Sequence, residues 1–554
     1  MRRPKLNRKV IAALAAVALS YSLFALEPAP KETATHLRVD PLLVAQATEV
    51  WSVIAQPDNP VWPGWNASDT PLLFYLPGIQ DVLINHPKPP AGFRRYSGSL
   101  VFPGAEIHVR DGTTFFEFDG QNTALDVAGA TTLVVADTLS NRRSNVRGWL
   151  QDPRPGSTKA AELTFDQLQG SPYDSICMIA HEAFHAFQKK QASKKGGSEE
   201  ALTRYPTIAS KNTLGLALEG DLLAEALRST KPEEVRAHAI RWLAVRNDRR
   251  KSLTPDAANY EDRIEYLEGL AKYIEYRLLE VLEGRAARPA MIWQQGFHGY
   301  ADLRPQRERL VRMLEKMMRG EVNINNDPYG ASPMRMRLYY SGMAIGVLLD
   351  RLSPNWKQQM FAPESTLTGL ASRAINATEV ELVEGLAAVK QRPSYAELAE
   401  KKKQLEKEGN EATQKLFDEI EKGPKSALVI DYSALGEQQP GLSFTPFGIL
   451  RVDDHRTIYR LIPITATVGA TTLKQTVATP LLHDRAGKRF VCQLQDLVSA
   501  EKVESLFGVK AGAKDLIELK EVTLPGLRLK GGYATMSTKD RVVELRLSAK
   551  PSVP

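Results

Sequence analysis

The sequence predicts a mixed α+β protein in which strands come first, helices follow, and a second set of strands ends the chain. Short extended runs separated by Gly, Asp and Asn turns occupy residues 72–136. Helical periodicity then extends from Ser171 to about Leu386, and β-rich runs return from Ala427 onward. At 554 residues and 43% hydrophobic content, the chain can form two or three domains with apolar cores.

The first 26 residues have the pattern of a targeting segment. Five basic residues precede an acid-free apolar stretch from Val10 to Leu26. They are Arg2, Arg3, Lys5, Arg8 and Lys9. We therefore expect export to the periplasm or the extracellular space, with the segment either cleaved or kept as a membrane anchor. Residues 27–38 then form a polar, proline-containing tether.

Net charge and cysteine content exclude some classes of protein. The formal charge is +7, so removal of the five N-terminal positive charges leaves about +2 (seven minus five). This balance gives no indication of nucleic-acid binding. The two cysteines, Cys177 and Cys492, argue against a disulfide framework. We interpret Cys177, one helical turn before His181, as a packed thiol.

The folded part begins with an apolar-periodic helix from about Pro41 to Ile54, followed by a turn rich in Pro, Trp and Gly at 60–65. Extended runs are then predicted at Leu72–Leu76, Ser99–Phe102, Glu106–Arg110, Thr114–Phe118 and Thr131–Ala136. We expect the last of these to be a sheet edge onto which an extended peptide could pair.

A long helix begins near Ser171 and contains the central motif. Ser171 is a suitable N-cap and Pro172 a suitable first residue, while the Lys-Lys-Gly-Gly run at 194–197 favours termination. One apolar stripe anchors the helix in a core, and it consists of Ile176, Ile179, Ala183 and Phe187.

The central motif is His181-Glu182-Ala183-Phe184-His185. Two histidines four residues apart leave a helix on the same face and can hold one metal ion. Zinc in such a site lowers the pKa of bound water towards ~7, and the carboxylate of Glu182 can take the proton. The motif therefore predicts a zinc site with Glu182 as general base.

A third ligand must come from another part of the chain. Gln188 and Gln191 occupy the positions that a three-histidine site would need, so a carboxylate is expected. In the helix 260–278, Glu268 and Glu275 fall at the edge of the apolar stripe and Glu265 falls well outside it. Gly269 would allow another element to approach Glu268 closely.

Glu219 is a second candidate for the third ligand. Its helix, from about Leu216 to Leu227, is apolar on nearly all sides, so this glutamate would be buried. A buried carboxylate needs a positive partner, which could be a metal or an arginine such as Arg246 or Arg250. A supporting role, in which Glu219 orients a zinc-bound histidine, is the alternative.

His181-Glu182-x-x-His185 with the later Glu268-Gly-Leu-Ala-Lys-Tyr-Ile-Glu275 resembles the gluzincin branch of the zincin metallopeptidases. The resemblance covers roughly residues 170–280. It implies a zincin-like catalytic domain at 39–393, zinc ligation by His181, His185 and Glu268, and general-base catalysis by Glu182. The 82 residues between His185 and Glu268 exceed the spacing in the best-known members, so inserted helices are expected and Glu219 stays open as a ligand.

Hydrolysis also needs a donor for the developing oxyanion, typically Tyr or His. The helix around Tyr339 and Tyr340 is the best source, and Tyr340 is slightly favoured. Gly342 and Gly346 indicate that this helix packs closely against a neighbour. His298 is a further candidate.

The sequence predicts a highly charged, solvated helical spacer at residues 394–425 and a separate β-rich C-terminal domain at residues 426–554.

The whole sequence predicts an exported zinc metallopeptidase acting on peptides or proteins. One alternative is a zinc hydrolase of a non-peptide amide or ester, which would share the site. The other is a cell-surface binding protein with a structural metal, although the sequence offers no obvious fourth protein ligand.

Overall fold

The computed structural model describes residues 36–98, 102, 106–150, 170–322, 327, 329–330, 332–423, 425–444, 447–461, 463–493, 507, 516–524, 526–539 and 541–549. The protein is mixed α+β, with a strand-rich N-terminal part, a helical middle and a β-rich C-terminal part, which confirms the predicted fold class. The expected targeting segment, most of the tether and nearly all of the expected strand at 99–102 lie outside the described residues. Among the helices that are described, none is both long and apolar enough to span a membrane.

Fourteen α-helices lie in the described part of the chain. They are α1 Pro41–Ile54, α2 Thr138–Leu150, α3 Pro172–Ala192, α4 Ser210–Arg228, α5 Pro232–Arg250, α6 Pro255–Ile264, α7 Leu270–Leu282, α8 Pro289–Ile292, α9 Arg304–Arg319, α10 Ser332–Leu352, α11 Trp356–Gln359, α12 Leu367–Ile375, α13 Glu379–Lys390 and α14 Tyr395–Lys422. A π-helical turn, Glu265–Gly269, joins α6 to α7. Short 3₁₀ turns are present at Ala67–Asp69, Glu199–Thr203 and Ser433–Leu435.

The described strands fall into an N-terminal and a C-terminal group. The first group is β1 Leu72–Leu76, β2 Gln80–Ile84, β3 Arg94–Arg95, β4 Ile107–Asp111, β5 Thr123–Val127 and β6 Ala130–Ala136. The second is β7 Ala427–Asp431, β8 Gly441–Ser443, β9 Ile449–Arg451, β10 Arg456–Tyr459, β11 Thr465–Val468, β12 Thr471–Gln475, β13 Leu481–Asp484, β14 Arg489–Gln493, β15 Ile517–Glu518, β16 Val522–Leu524, β17 Leu527–Lys530, β18 Tyr533–Lys539 and β19 Val542–Ser548.

The chain divides into two compact units. The first consists of residues 1–191 and 277–304, and the second of residues 192–276 and 305–554. The first unit contains the N-terminal sheet, α1, α2, α3 and α8. The second contains most of the helices and both C-terminal sheets.

The sheet of the first unit has the order β3-β4-β2-β1-β6-β5. Strands β1 and β6 are parallel, and the other neighbours are antiparallel. Its central strand β1 is buried along its whole length, as expected for a strand covered on both faces. Elsewhere in this unit, a buried hydrogen bond of 2.8 Å from Gln46 to Gln294 connects α1 to the segment after α8.

Two expectations for this sheet are wrong. Thr131–Ala136 is not an edge, because β6 pairs with β1 on one side and with β5 on the other. The strand expected at Thr114–Phe118 is absent. Side chains bind the backbone there in place of a ladder, since the carboxylate of Asp81 accepts from Phe115 N and the hydroxyl of Tyr75 donates to Phe118 O.

In the second unit the C-terminal strands form two sheets. One has the order β15-β18-β19-β7-β14-β13-β10-β9 and the other β16-β17-β12-β11-β8. The charged helix predicted at 394–422 is present as α14, but it is not simply solvated. Phe417 and Ile420 pack with Leu450, Ile458 and Leu482 in one apolar core of the larger sheet. The predicted domain boundaries stay predictions.

Candidate metal centre

In the first unit, α3 begins and ends as the sequence indicates. Pro172 is its first residue, Ser171 Oγ accepts from Tyr173 N, and Lys189 and Lys190 occupy the last turn. Aromatic packing fixes one side of the helix. The ring of Phe184 lies 5.1 Å from Trp62 and 5.2 Å from Trp65, and Phe187 also contacts Trp65. The motif is thus held on a rigid, buried helix.

His181 and His185 lie next to each other on this helix. Their ring centroids are 4.8 Å apart and the ring planes are inclined by 83°. His181 is buried and His185 is half-buried. Glu182, directly after the first histidine, is also half-buried. The arrangement places two imidazoles and an acid within one turn of each other.

Gln188 is a partner of His185 that the sequence did not predict. In the sequence it served only to exclude a third histidine. Its Oε1 lies 2.8 Å from His185 Nδ1, and the side chain is buried. An amide oxygen accepts, so this contact assigns the proton to Nδ1 and leaves the lone pair of Nε2 for a metal. The spacing of three residues on a helix was the available signal.

The other sequence candidates on α3 and near it have structural contacts in the first unit. Cys177 is buried and is not part of a disulfide, which agrees with its interpretation as a packed thiol. The side chain of His298 is exposed, while its backbone N–H donates to the hydroxyl of Tyr173 over 2.9 Å. This bond connects the start of α3 to the loop after α8.

In the second unit, Glu268 lies in the π-helical turn Glu265–Gly269. Hydrogen bonds in such a turn span five residues instead of four, and π turns occur often at functional sites. The expectation that Glu265 lies outside the buried face is wrong. Glu265 is fully buried and accepts hydrogen bonds from Arg246 and Ser341. Steps of 100° per residue assume an uninterrupted α-helix, and the π turn removes that assumption.

Gly269 allows the close approach that was expected beside Glu268. A Cβ at Gly269 would lie 2.6 Å from Gly342 Cα, and one at Gly342 would lie 2.7 Å from Gly269 Cα. A Cβ at Gly346 would likewise meet the ring of Tyr273 at 2.8 Å. Helix α10 therefore packs backbone to backbone against the turn that contains Glu268.

The carboxylate of Glu268 is buried and paired with Arg335. Arg335 Nη2 donates to Glu268 Oε1 over 2.9 Å, and Arg335 Nε donates to Glu199 over 2.8 Å. Tyr260 also donates to Glu199 over 3.0 Å. Burial alone would lower the pKa of Arg335, but Tyr339, Glu268 and Glu199 outweigh it and raise this pKa. Arg335 is therefore a permanent cation beside Glu268, and no sequence motif indicated it.

The two candidate tyrosines on α10 have different surroundings. Tyr339 accepts a hydrogen bond from Arg335, and burial together with nearby Glu268 raises its pKa. Tyr340 is buried, and Lys272 Nζ lies 5.2 Å from the centre of its ring. Tyr339 is thus the tyrosine that interacts with Glu268. The choice of Tyr340 as the oxyanion donor stays a prediction.

Glu219 is fully buried in the second unit and is bound by two arginines. It accepts from Arg246 Nη1 over 3.0 Å and from Arg249 Nε over 2.5 Å. The expected partner Arg246 is confirmed, but Arg249 takes the place of Arg250, which pairs with Glu261 and Asp262. Two guanidinium groups already neutralise this carboxylate, which favours a structural role for Glu219 over ligation.

No protein-family model matches the sequence, and neither a curated protein nor a solved structure matches it. The chemistry of the side chains on α3 and around Glu268 is therefore the basis for a functional assignment.

Proposed function

We propose that this protein is an exported zinc metallopeptidase of the gluzincin type, with a zincin-like catalytic domain. The observation that carries the proposal is the His-Glu-x-x-His motif in the middle of α3, with two adjacent imidazoles and Glu182 within one turn. His181, His185 and Glu268 are the proposed ligands. Two histidines and one glutamate are a donor set that could hold a metal ion, without specifying zinc.

The proposed donors suit zinc. Two imidazole nitrogens and one carboxylate are a common protein set for a catalytic zinc ion. The bond from His185 Nδ1 to Gln188 presents Nε2 as the ligand atom. Arg335 stabilises the ionised form of Glu268, which is the form that binds a cation.

In this proposal, a bound zinc ion supplies a Lewis acid that lowers the pKa of water towards ~7. Glu182 takes a proton from the attacking water and returns it to the leaving amine. A tyrosine hydroxyl from α10 donates a hydrogen bond to the developing oxyanion, with Tyr340 as the first choice. Burial raises the pKa of Tyr339, so its hydroxyl also stays protonated and able to donate.

The test is the Glu182→Gln variant, assayed for bound metal and for cleavage of a mixed peptide library. Zinc should remain stoichiometric, and hydrolysis should fall by about 10²–10⁴-fold, because proton transfer is lost while the ligands are kept. Asp174→Asn, on the first turn of the same helix, is the matched control and should leave hydrolysis unchanged.

Undiminished cleavage by Glu182→Gln would refute the general-base role. A wild-type protein that hydrolyses amides or esters but no peptide would instead support the non-peptide hydrolase. Stoichiometric zinc with no hydrolysis of any substrate would support a structural metal.

A further inference from the structure

A cavity of about 550 Å³ lies in the second unit among helices α4, α5, α13 and α14. Its volume falls in the range of small-molecule sites. The lining is mixed, and its apolar wall includes Leu214, Leu218, Val245, Leu386 and Val389. Such a surface favours a ligand with an apolar body, since water in contact with it is released on binding. None of these residues belongs to the proposed metal centre.

The edge of the cavity is positively charged. Lys211, Lys390 and Lys403 line it, all with exposed side chains, and Asp248 is the one acid among its lining residues. Lys403 makes a loose, exposed pair with Glu400 at 3.5 Å. Within the described ranges, Lys211 and Lys390 form no ion pair. The cavity edge thus has an excess of positive charge that an anion would neutralise.

The inner wall adds no free charge to this balance. Arg249 also lines the cavity, but Glu219 and Glu261 neutralise its guanidinium in the protein interior. A Cβ at Gly215 would lie 2.5 Å from Arg249 Cδ, so this glycine lets the arginine pack against α4 beside the cavity. The lysines at the edge are therefore the groups that can bind an anionic head.

We propose that this cavity binds an amphiphilic anion, a molecule with a carboxylate-like head and an apolar body. The body would cover the apolar wall and the head would contact Lys211 and Lys390. A hydrated polyanion would leave the apolar wall in contact with water. A neutral apolar molecule would form no ion pair with the lysines at the edge.

The first experiment is calorimetric titration of the full chain with octanoate, decanoate and dodecanoate at concentrations below micelle formation. Affinity should rise by about fourfold per added methylene, which is ~0.8 kcal/mol, until the wall is covered. Decanol, decyltrimethylammonium and inorganic phosphate should each bind at least about tenfold more weakly than decanoate. Equal binding of phosphate, or affinity independent of chain length, overturns the proposal.

The second experiment separates the head from the body of the ligand. Lys211→Glu and Lys390→Glu should each lower decanoate affinity by about tenfold or more, because a repulsive charge replaces an attractive one. Lys415→Glu, an exposed lysine on α14 outside the cavity, is the control and should have no effect. Ala399→Phe should fill the cavity and weaken decanoate binding with no change of charge. An equal effect of the control, or none of Ala399→Phe, contradicts the assignment.

Discussion

Gln188 fixes which nitrogen of His185 carries the proton. We expect Gln188→Ala to weaken zinc binding by about 10–100-fold, because the ring loses the acceptor that sets its tautomer and orientation. Gln188→Glu, which keeps an acceptor, should retain or raise the affinity. The measurement is competition with a chelator of known zinc affinity. Gln191→Ala, an exposed residue one turn further along α3, is the control, and unchanged affinity in Gln188→Ala would contradict the role.

Glu268 and Glu219 have different arginine partners, and this difference predicts which of the two binds zinc. We expect Glu268→Ala to lose stoichiometric zinc with moderate destabilisation. Glu219→Ala should keep zinc but lower the free energy of unfolding by about 3–5 kcal/mol, because Arg246 and Arg249 lose a buried counter-ion. Metal analysis and urea denaturation of both variants test this. Zinc retained in Glu268→Ala and absent from Glu219→Ala would reverse the ligand assignment.

The site residues differ in how far the sequence predicts them. His181, Glu182 and His185 follow from a short motif with a fixed helical spacing. Arg335 does not, because its partners Glu199 and Glu268 are 136 and 67 residues away in the chain. Such pairings depend on tertiary packing and leave no local pattern.

Among the elements, the contact between the π turn and α10 depends on two glycines. We expect Gly342→Ala to lower the free energy of unfolding by about 1–3 kcal/mol, because the new Cβ would overlap the backbone of the turn. Gly385→Ala in α13 is the matched control. Its Cβ would make ordinary contacts at 3.5 Å or more, so this change should be neutral or stabilising by up to ~1 kcal/mol. Equal effects in urea denaturation would argue against close packing at Gly342.

Strand β13 contains a histidine whose titration couples stability to pH. Burial, assisted by the positive charge of nearby Arg485, lowers the pKa of His483 to about 3. In the unfolded chain its pKa is about 6.5, so between these values the unfolded state binds more protons. Stability should therefore fall by up to ~1.4 kcal/mol per pH unit as pH decreases from 6.5 towards 3. Urea midpoints across this range should depend less on pH in His483→Gln, whereas the exposed control His455→Gln should behave like the wild type.

Regular elements follow from the sequence and irregular ones do not. Helix α1 begins at Pro41 and ends at Ile54 as predicted, since its N-cap and apolar period are local. Strand β2 was missed because its first residues, Gln80 and Asp81, are polar. Both are fully buried, and Arg110 and Asp111 supply their partners from β4. The π turn was missed because the same residue types form α and π turns, so the sequence pattern does not distinguish the two.

At the scale of the whole molecule, metal binding and unfolding are linked. A ligand at 100 times its Kd stabilises the native state by ~2.7 kcal/mol, so zinc should raise the thermal midpoint and a chelator should lower it. The same titration on His185→Ala is the control and should show little shift. A midpoint in the wild type that is insensitive to both additions would contradict a native metal site.

The long gap between the proposed ligands is explained by the helices that it contains. The 82 residues between His185 and Glu268 include α4, α5 and α6, which agrees with the inserted helices expected from this spacing. Arg246 and Arg249 of α5 pair with Glu219 of α4 and with Glu261 and Glu265, so these helices share one buried ionic network in the second unit. The sequence predicted the helices and a buried Glu219 with an arginine partner such as Arg246. It did not indicate the pairs made by Glu261 and Glu265, because these glutamates could equally have been solvated.

The π turn gives the α6–α7 segment two angular registers. It holds one residue more than an α-helical turn, so every residue from Leu270 onward is rotated by about 100° from its place in an uninterrupted helix. Deletion of one residue between Glu265 and Gly269 would remove this offset while leaving both helices intact. In the native segment Glu265 binds Arg246 and Gly269 packs on α10. After such a deletion, these two contacts would require different rotations of the segment. An insertion or a deletion at this point therefore rotates α7 relative to α6. Such a change of length would be sufficient to break the ion pair between Glu268 and Arg335.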